Sequence, residues 1–136
     1  GVGIDLNGLI PAEVTQQIAY NDPIVAVQQQ VDALQAKKCD YIICLSHLGF
    51  DYPTENKVSD KVLAQNTAGI DLIIGGHTHT FLGSAVSVKN KSGNETLINQ
   101  VGYAGLFLGR IDISFQAGKH VESVSSALPI KQILTV

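Results

Sequence analysis

DLIIGGHTHTF, Asp71 to Phe81, decides how this chain folds and where its chemistry sits. A short apolar run of the kind that forms a buried strand ends in two glycines, and two of the chain's four histidines follow, one residue apart. Upstream, YIICL (Tyr41 to Leu45) is a second apolar, partly β-branched run that suits a strand covered on both faces. His47 follows it in LSHLGF. Between the two runs, Ser59 caps a short helix that carries Val62 and Leu63 and is closed by Gly69. Ahead of both, Asp22 and Pro23 start a helix whose stripe of Ile24, Val27, Val31 and Leu34 ends near Lys37 and Lys38, about four turns on. Helix, strand, helix, strand implies parallel pairing through right-handed crossovers.

Past Phe81 the pattern changes. SAVSVKN, ETLINQVGY, LFLGRIDISF and HVESVSSAL alternate apolar with polar residues, and turn signals fall at Lys91 to Asn94, Tyr103 to Gly105 and Ala117 to Lys119. These stretches read as antiparallel strands joined by short turns. No repeat or linker interrupts the chain, so the expected fold is one α/β domain in which two parallel βα units precede antiparallel strands.

That fold locates the histidines. His47 stands two residues beyond the strand ending at Leu45, and His77 three beyond the strand ending at Ile74. Open α/β sheets place ligand sites at such carboxyl ends. Neighbouring strands lie about 4.8 Å apart, close enough for two imidazoles to meet one ion. In an extended segment His77 and His79 also point to one side, and Gly75 and Gly76 allow a sharp turn and a close approach. Three histidines converging at a sheet edge form a metal-site pattern, although a lone histidine after a strand is ordinarily a hydrogen-bonded surface residue. His120, beside Gly118 and Lys119, reads as a solvated turn residue, and Asp51, Glu55 and Asp60 as a polar loop entering a capped helix. Asn90-Lys-Ser and Asn94-Glu-Thr match the glycosylation pattern but receive no function.

Composition narrows the classes further. With 136 residues, 45% of them hydrophobic, the chain can bury a core. Nine basic against twelve acidic residues leave no surplus to neutralise an extended nucleic acid. No apolar run approaches the roughly 18 to 20 residues of a membrane span, and GVGIDLNGLIP lacks the features of a signal peptide. Cys39 and Cys44 would be roughly 16 Å apart along a strand, too far for a disulfide, and read as small buried residues.

CDYIICLSHLGF, GIDLIIGGHTHTF and NQVGYAGLFLGRIDISF resemble the later part of the calcineurin-like metallophosphoesterase domain, most of all its 5'-nucleotidase branch. The resemblance covers nearly the whole chain. It implies a four-layer αββα sandwich that holds two divalent ions, zinc, manganese or similar, and hydrolyses phosphomonoesters with metal-activated water. His47 resembles the lone histidine on the second metal, His77 the first member of the Gly-His-x-His pair on that same metal, and His79 the second member, which reaches the first metal. The family's Asp-x-His, Gly-Asp-x-x-Asp and Gly-Asn-His motifs do not occur here. The dinuclear site is therefore expected to be incomplete, with no catalytic residue beyond the three metal ligands and no identifiable substrate-binding residue. Residues 1–136 correspond to the C-terminal half of such a catalytic domain, without its N-terminal half or a nucleotide-specificity domain.

The expected activity is that of a 5'-nucleotidase acting on nucleoside monophosphates, in a periplasmic or extracellular setting, with this chain alone inactive. A cyclic nucleotide, bis-phosphate or sugar nucleotide is the alternative substrate; a single-zinc hydrolase or hydratase and a non-catalytic fragment are the alternative classes. The expected partners are the phosphate-ester substrate and either the missing N-terminal half or a second copy on the exposed sheet face.

Overall fold

The computed structural model describes residues 1–130. Its elements run β1 (Val2–Gly3), α1 (Ala12–Thr15), α2 (Pro23–Ala36), β2 (Ile43–His47), α3 (Asp60–Asn66), β3 (Leu72–Ile74), β4 (Val86–Lys89), β5 (Glu95–Asn99), β6 (Phe107–Gln116) and β7 (Lys119–Pro129). A five-stranded sheet has the order β1-β2-β3-β5-β4, and β6 and β7 form a separate ribbon.

The helices begin where their caps dictate. Asp22 accepts the Val25 N–H at the start of α2, with Pro23 in the first turn. Ser59 accepts the Val62 N–H at the start of α3. The α3 helix ends at Asn66, and the left-handed turn that follows is at Gly69, two residues past the Thr67 cap. Val27 and Val31 of α2 and Leu63 and Ala64 of α3 pack on Cys44, Ile73 and Ile98, which share one row across β2, β3 and β5. That row is the core.

Several expectations are corrected. Strand β2 begins at Ile43 rather than Tyr41 and runs on to include His47. It is covered on one face only: Ile43, Leu45 and Ile74 are 46%, 60% and 41% exposed, and the pairings Ile43 to Leu72 and Leu45 to Ile74 set them on the face away from the core row. Continuous apolarity cannot distinguish a strand buried twice from one whose second face awaits a covering layer. The antiparallel tail also divides. β5 lies beside β3 in parallel, and β4 pairs antiparallel with it from the outside. Alternation in sequence does not encode strand direction, so this insertion was invisible. β1, two residues long, carries no periodicity to detect. Cys39 is exposed, past the end of α2, while Cys44 is buried.

Asp60 is the least expected core member. It opens α3, donates its N–H to the Gly49 carbonyl at 2.7 Å, and is completely buried. Its Oδ1 accepts the Ser46 hydroxyl at 2.5 Å, and Oδ2 has no partner among the described residues. Burial pushes the carboxyl up to about 6, against the Ser46 bond, which favours the charged form. The folded chain therefore holds this proton more tightly than the unfolded chain. The resulting stabilisation is complete below pH 3.8 and is lost as pH rises through about 6. At pH 7 the loss amounts to about 3 kcal/mol. Asp60→Asn keeps the acceptor for Ser46 without the charge, so its melting temperature should exceed that of the unaltered chain at pH 7, with the gap closing toward pH 4. Parallel melting curves over that range would refute this reading of Asp60 as a strained buried acid.

Candidate functional site

Strand alternation sends Ser46 inward to Asp60 and His47 outward, so the last residue of β2 presents an exposed imidazole. β3 stops at Ile74, where the Gly75 N–H still bonds the Asn99 carbonyl at 2.8 Å, and the chain then bends. The bend brings the His77 ring to His47, with centroids 5.1 Å apart and planes at 65°.

The glycines contribute closeness rather than a left-handed turn. A Cβ on Gly75 would overlap Asp60 Oδ2, and one on Gly76 would lie 3.1 Å from His47 Nδ1. It is His77 and His79 that adopt left-handed backbone, at φ 74° and 54°. Two non-glycine residues in that region within one short segment mark stored strain, of a kind that clusters at functional sites. The same bend corrects the expectation that His77 and His79 project together from an extended strand. His77 faces His47, whereas the His79 ring stacks on Tyr103 with centroids 5.0 Å apart.

His120 lies elsewhere. Its ring leans on Tyr41 at 5.1 Å, and its Nε2 is 2.9 Å from Ser123 Oγ. Tyr41 precedes β2 while His47 ends it, so roughly 20 Å of strand separates the two positions. His120 is exposed in β7, yet it belongs to an aromatic cluster rather than to a free turn.

Burial first, then the neighbouring His47, His79 and Lys57, pushes His77 below the ordinary imidazole value. A neutral ring keeps a lone pair for a metal. The His47 and His77 rings are close enough to share one ion, and imidazole is a suitable donor for zinc and its neighbours. Among the described residues, no three side chains of His, Cys, Asp or Glu converge on a metal-sized point. The described residues thus gather two imidazoles where a closed metal site would need four ligands, with His79 turned toward Tyr103.

The segment is held from below by residues that have no role in the sequence-based reading. Thr78 Oγ1 accepts the Phe50 N–H at 2.9 Å, and the Gln100 carboxamide bonds Thr78, Thr80 and Gly76. Asp60, expected in a polar loop, fills the space beneath Gly75 instead. Two adjacent glycines after a strand were the available signal that something must approach closely.

Comparison with known proteins supplies the family. No protein-family model matches the chain. It is 36% identical over 119 residues to the trifunctional nucleotide phosphoesterase protein YfkN of Bacillus subtilis (strain 168), covering 87% of this chain and 8% of that protein. It is 33% identical to the 5'-nucleotidase of Diplobatis ommata, covering 77% of this chain and 19% of the relative. The crystal structure of a 5'-nucleotidase precursor from Thermus thermophilus superposes with a TM-score of 0.71 at 32% identity, over 82% of this chain and 23% of that one. The chain belongs to a 5'-nucleotidase-like domain. It spans less than a quarter of the length of each of these relatives and corresponds to part of such a domain. The resemblance carried by residues 39–50, 69–81 and 99–115 and the mixed α/β fold both stand.

In this nucleotidase-like domain the Gly75 contact is a steric requirement. Gly75→Ala would force a methyl group into Asp60 Oδ2 and should destabilise the chain by about 1 to 3 kcal/mol, as overpacking does. Gly83→Ala, with open space around its Cβ, should change stability by less than about 0.5 kcal/mol. Urea midpoints that move equally for the two variants would show that Asp60 does not press on the segment.

Proposed function

We propose that this chain is part of a metal-dependent phosphomonoesterase, a 5'-nucleotidase releasing phosphate from nucleoside monophosphates, and that His47, His77 and His79 are its contribution to a dinuclear metal site. The observation that carries the reading is the meeting of the His47 and His77 rings at the carboxyl ends of two adjacent parallel strands. Kinship with proteins named 5'-nucleotidase and nucleotide phosphoesterase supports the substrate class. Divalent ions, when bound, polarise the phosphate and lower the pKa of the attacking water. The chain's own residues do the holding: His47 and His77 present neighbouring nitrogens, and His79, on the same bent segment, supplies the ligand for a second position. A relative that bears the word trifunctional keeps other nucleotide esters open as substrates.

The remaining ligands lie, on this reading, in the half of the domain that packs on Ile43, Leu45 and Ile74. Exposed apolar surface of this kind marks an interface. No helix among the described residues is long and apolar enough to cross a membrane. The precursor name of the Thermus relative favours a periplasmic or extracellular site of action.

The chain alone should release no measurable phosphate from AMP with zinc or manganese. Addition of a polypeptide comprising the complementary half of the domain should restore release. In the restored molecule His79→Ala should abolish turnover, and His120→Ala should leave it within about twofold. Robust metal-dependent release by the chain alone would overturn the half-site reading. In light scattering the chain alone should self-associate through the uncovered face, and Leu45→Lys should reduce that association; a monomer at every concentration would leave the face without its proposed role.

A further inference from the structure

The segment Gly76 to Thr80 holds two left-handed histidines, a backbone conformation that residues other than glycine rarely adopt. Its own backbone does little to keep them there. The Thr78 N–H bonds the Gly76 carbonyl at 3.0 Å, and the Thr80 carbonyl accepts from Gly102 at 2.9 Å. Thr78 Oγ1 also lies 2.9 Å from Thr80 Oγ1, and three further hydrogen bonds to the segment come from one side chain.

Gln100 follows the last residue of β5, is 2% exposed, and has its carboxamide under the segment. Its Oε1 accepts the Thr80 N–H, and the Thr78 hydroxyl at 3.2 Å. Its Nε2 donates to the Gly76 carbonyl at 2.7 Å. One planar amide thus grips the segment before His77, between the two histidines and after His79. Thr78 extends the grip, because the same hydroxyl oxygen takes the Phe50 N–H from the loop that follows His47. The network ties the chain beyond β2 to the chain beyond β3. Ionised glutamate could accept from Thr80 but would set a charge against the Gly76 carbonyl, and leucine would leave the Thr80 N–H without its acceptor and the Gly76 carbonyl with only its bond from the Thr78 N–H. A carboxamide of this length satisfies both ends at every pH.

We propose that Gln100 is a positioning residue for the metal ligands: its carboxamide sets where His77 stands against His47 and where His79 stands beside it. The inference rests on the metal reading above and adds the element that aims the ligands. Groups that orient ligands in this way typically alter metal affinity about 10- to 100-fold when removed.

The test compares Gln100→Leu and Gln100→Glu with Thr96→Val. Thr96 is equally buried on β5 and bonds the Ile70 carbonyl at 2.7 Å, near the start of the strand and away from the histidines. Thr96→Val is therefore a control for the loss of one buried hydrogen bond. Two readouts use the metal-free 136-residue chain: the nuclear Overhauser contact between the His47 and His77 rings, and hydrogen exchange at the Thr80 amide. The third is the cobalt(II) affinity, from visible absorption, of the chain joined by a polypeptide comprising the complementary half of the domain. Both Gln100 variants should lose the ring contact. Gln100→Leu should also exchange Thr80 at least about tenfold faster and bind cobalt about 10- to 100-fold more weakly. Thr96→Val should lose stability and change none of the three. Should leucine prevent folding, Gln100→Glu decides at a pH where its carboxyl is ionised, since the carboxylate removes the donor to Gly76 and keeps the acceptor for Thr80. An intact ring contact in the folded Gln100 variants, or equal losses in Thr96→Val, would overturn the proposal. If the chain joined by its complementary half takes no cobalt, the metal reading fails and Gln100 has no ligands to position; the metal-free readouts separate that failure from a failure of the clamp itself.

Discussion

The site depends on the parallel pairing of β2 with β3, in the register that sets Leu45 beside Ile74. Parallel strands end on the same edge, so whatever follows each of them emerges together, and the spacing between neighbouring strands brings those residues within reach of one ion. His47 is two residues past the paired position and His77 three. A straight continuation of β3 would carry His77 beyond His47 and along the sheet axis. The bend after Gly75 cancels that offset, and the rings meet at 5.1 Å. The pairing supplies the neighbourhood, and the bend supplies the contact.

How much of this is legible in the sequence follows from what each signal encodes. The α2 and α3 starts are readable because Asp22 and Ser59 act locally, each on the N–H three residues ahead. The sheet edge is readable because two apolar runs separated by a helix admit few topologies. The insertion of β5 between β3 and β4 is not, since ETLIN alternates in the same way whichever neighbour it takes. The exposure of Ile43, Leu45 and Ile74 is likewise hidden, because an apolar strand reads alike whether its second layer is present or supplied by another chain. Gln100 and Asp60 are the larger omissions. A polar residue beside a strand or at a helix start looks like surface until long-range contacts are known, and both contacts span more than ten residues.

The division of labour between glycine and histidine also reverses a sequence-based expectation. Adjacent glycines suggest that the backbone conformation is theirs to provide. Here the glycines lie where side chains would collide with Asp60 and His47, and the left-handed conformations fall to His77 and His79. The reason is geometric. Residues placed between the end of a strand and a ligand must be small, whereas the ligands themselves must turn, and a residue cannot serve as ligand without its side chain. The strain is therefore carried by the residues proposed as ligands.

Strain of that size needs continuous support, and the support is polar on both sides. Asp60 closes the space beneath Gly75 and accepts from Ser46, the residue before His47, while Gln100 holds Gly76, Thr78 and Thr80. An apolar filling of the same volume would cost less, since it would bury no carboxyl and leave no Oδ2 without a partner. Apolar contacts, however, are non-directional and tolerate sliding, whereas an amide with both ends engaged tolerates very little. For two imidazoles to share an ion, their separation matters more than the stability of the loop that bears them. The buried polar groups exchange stability for position, at the sheet edge where the proposed ligands stand.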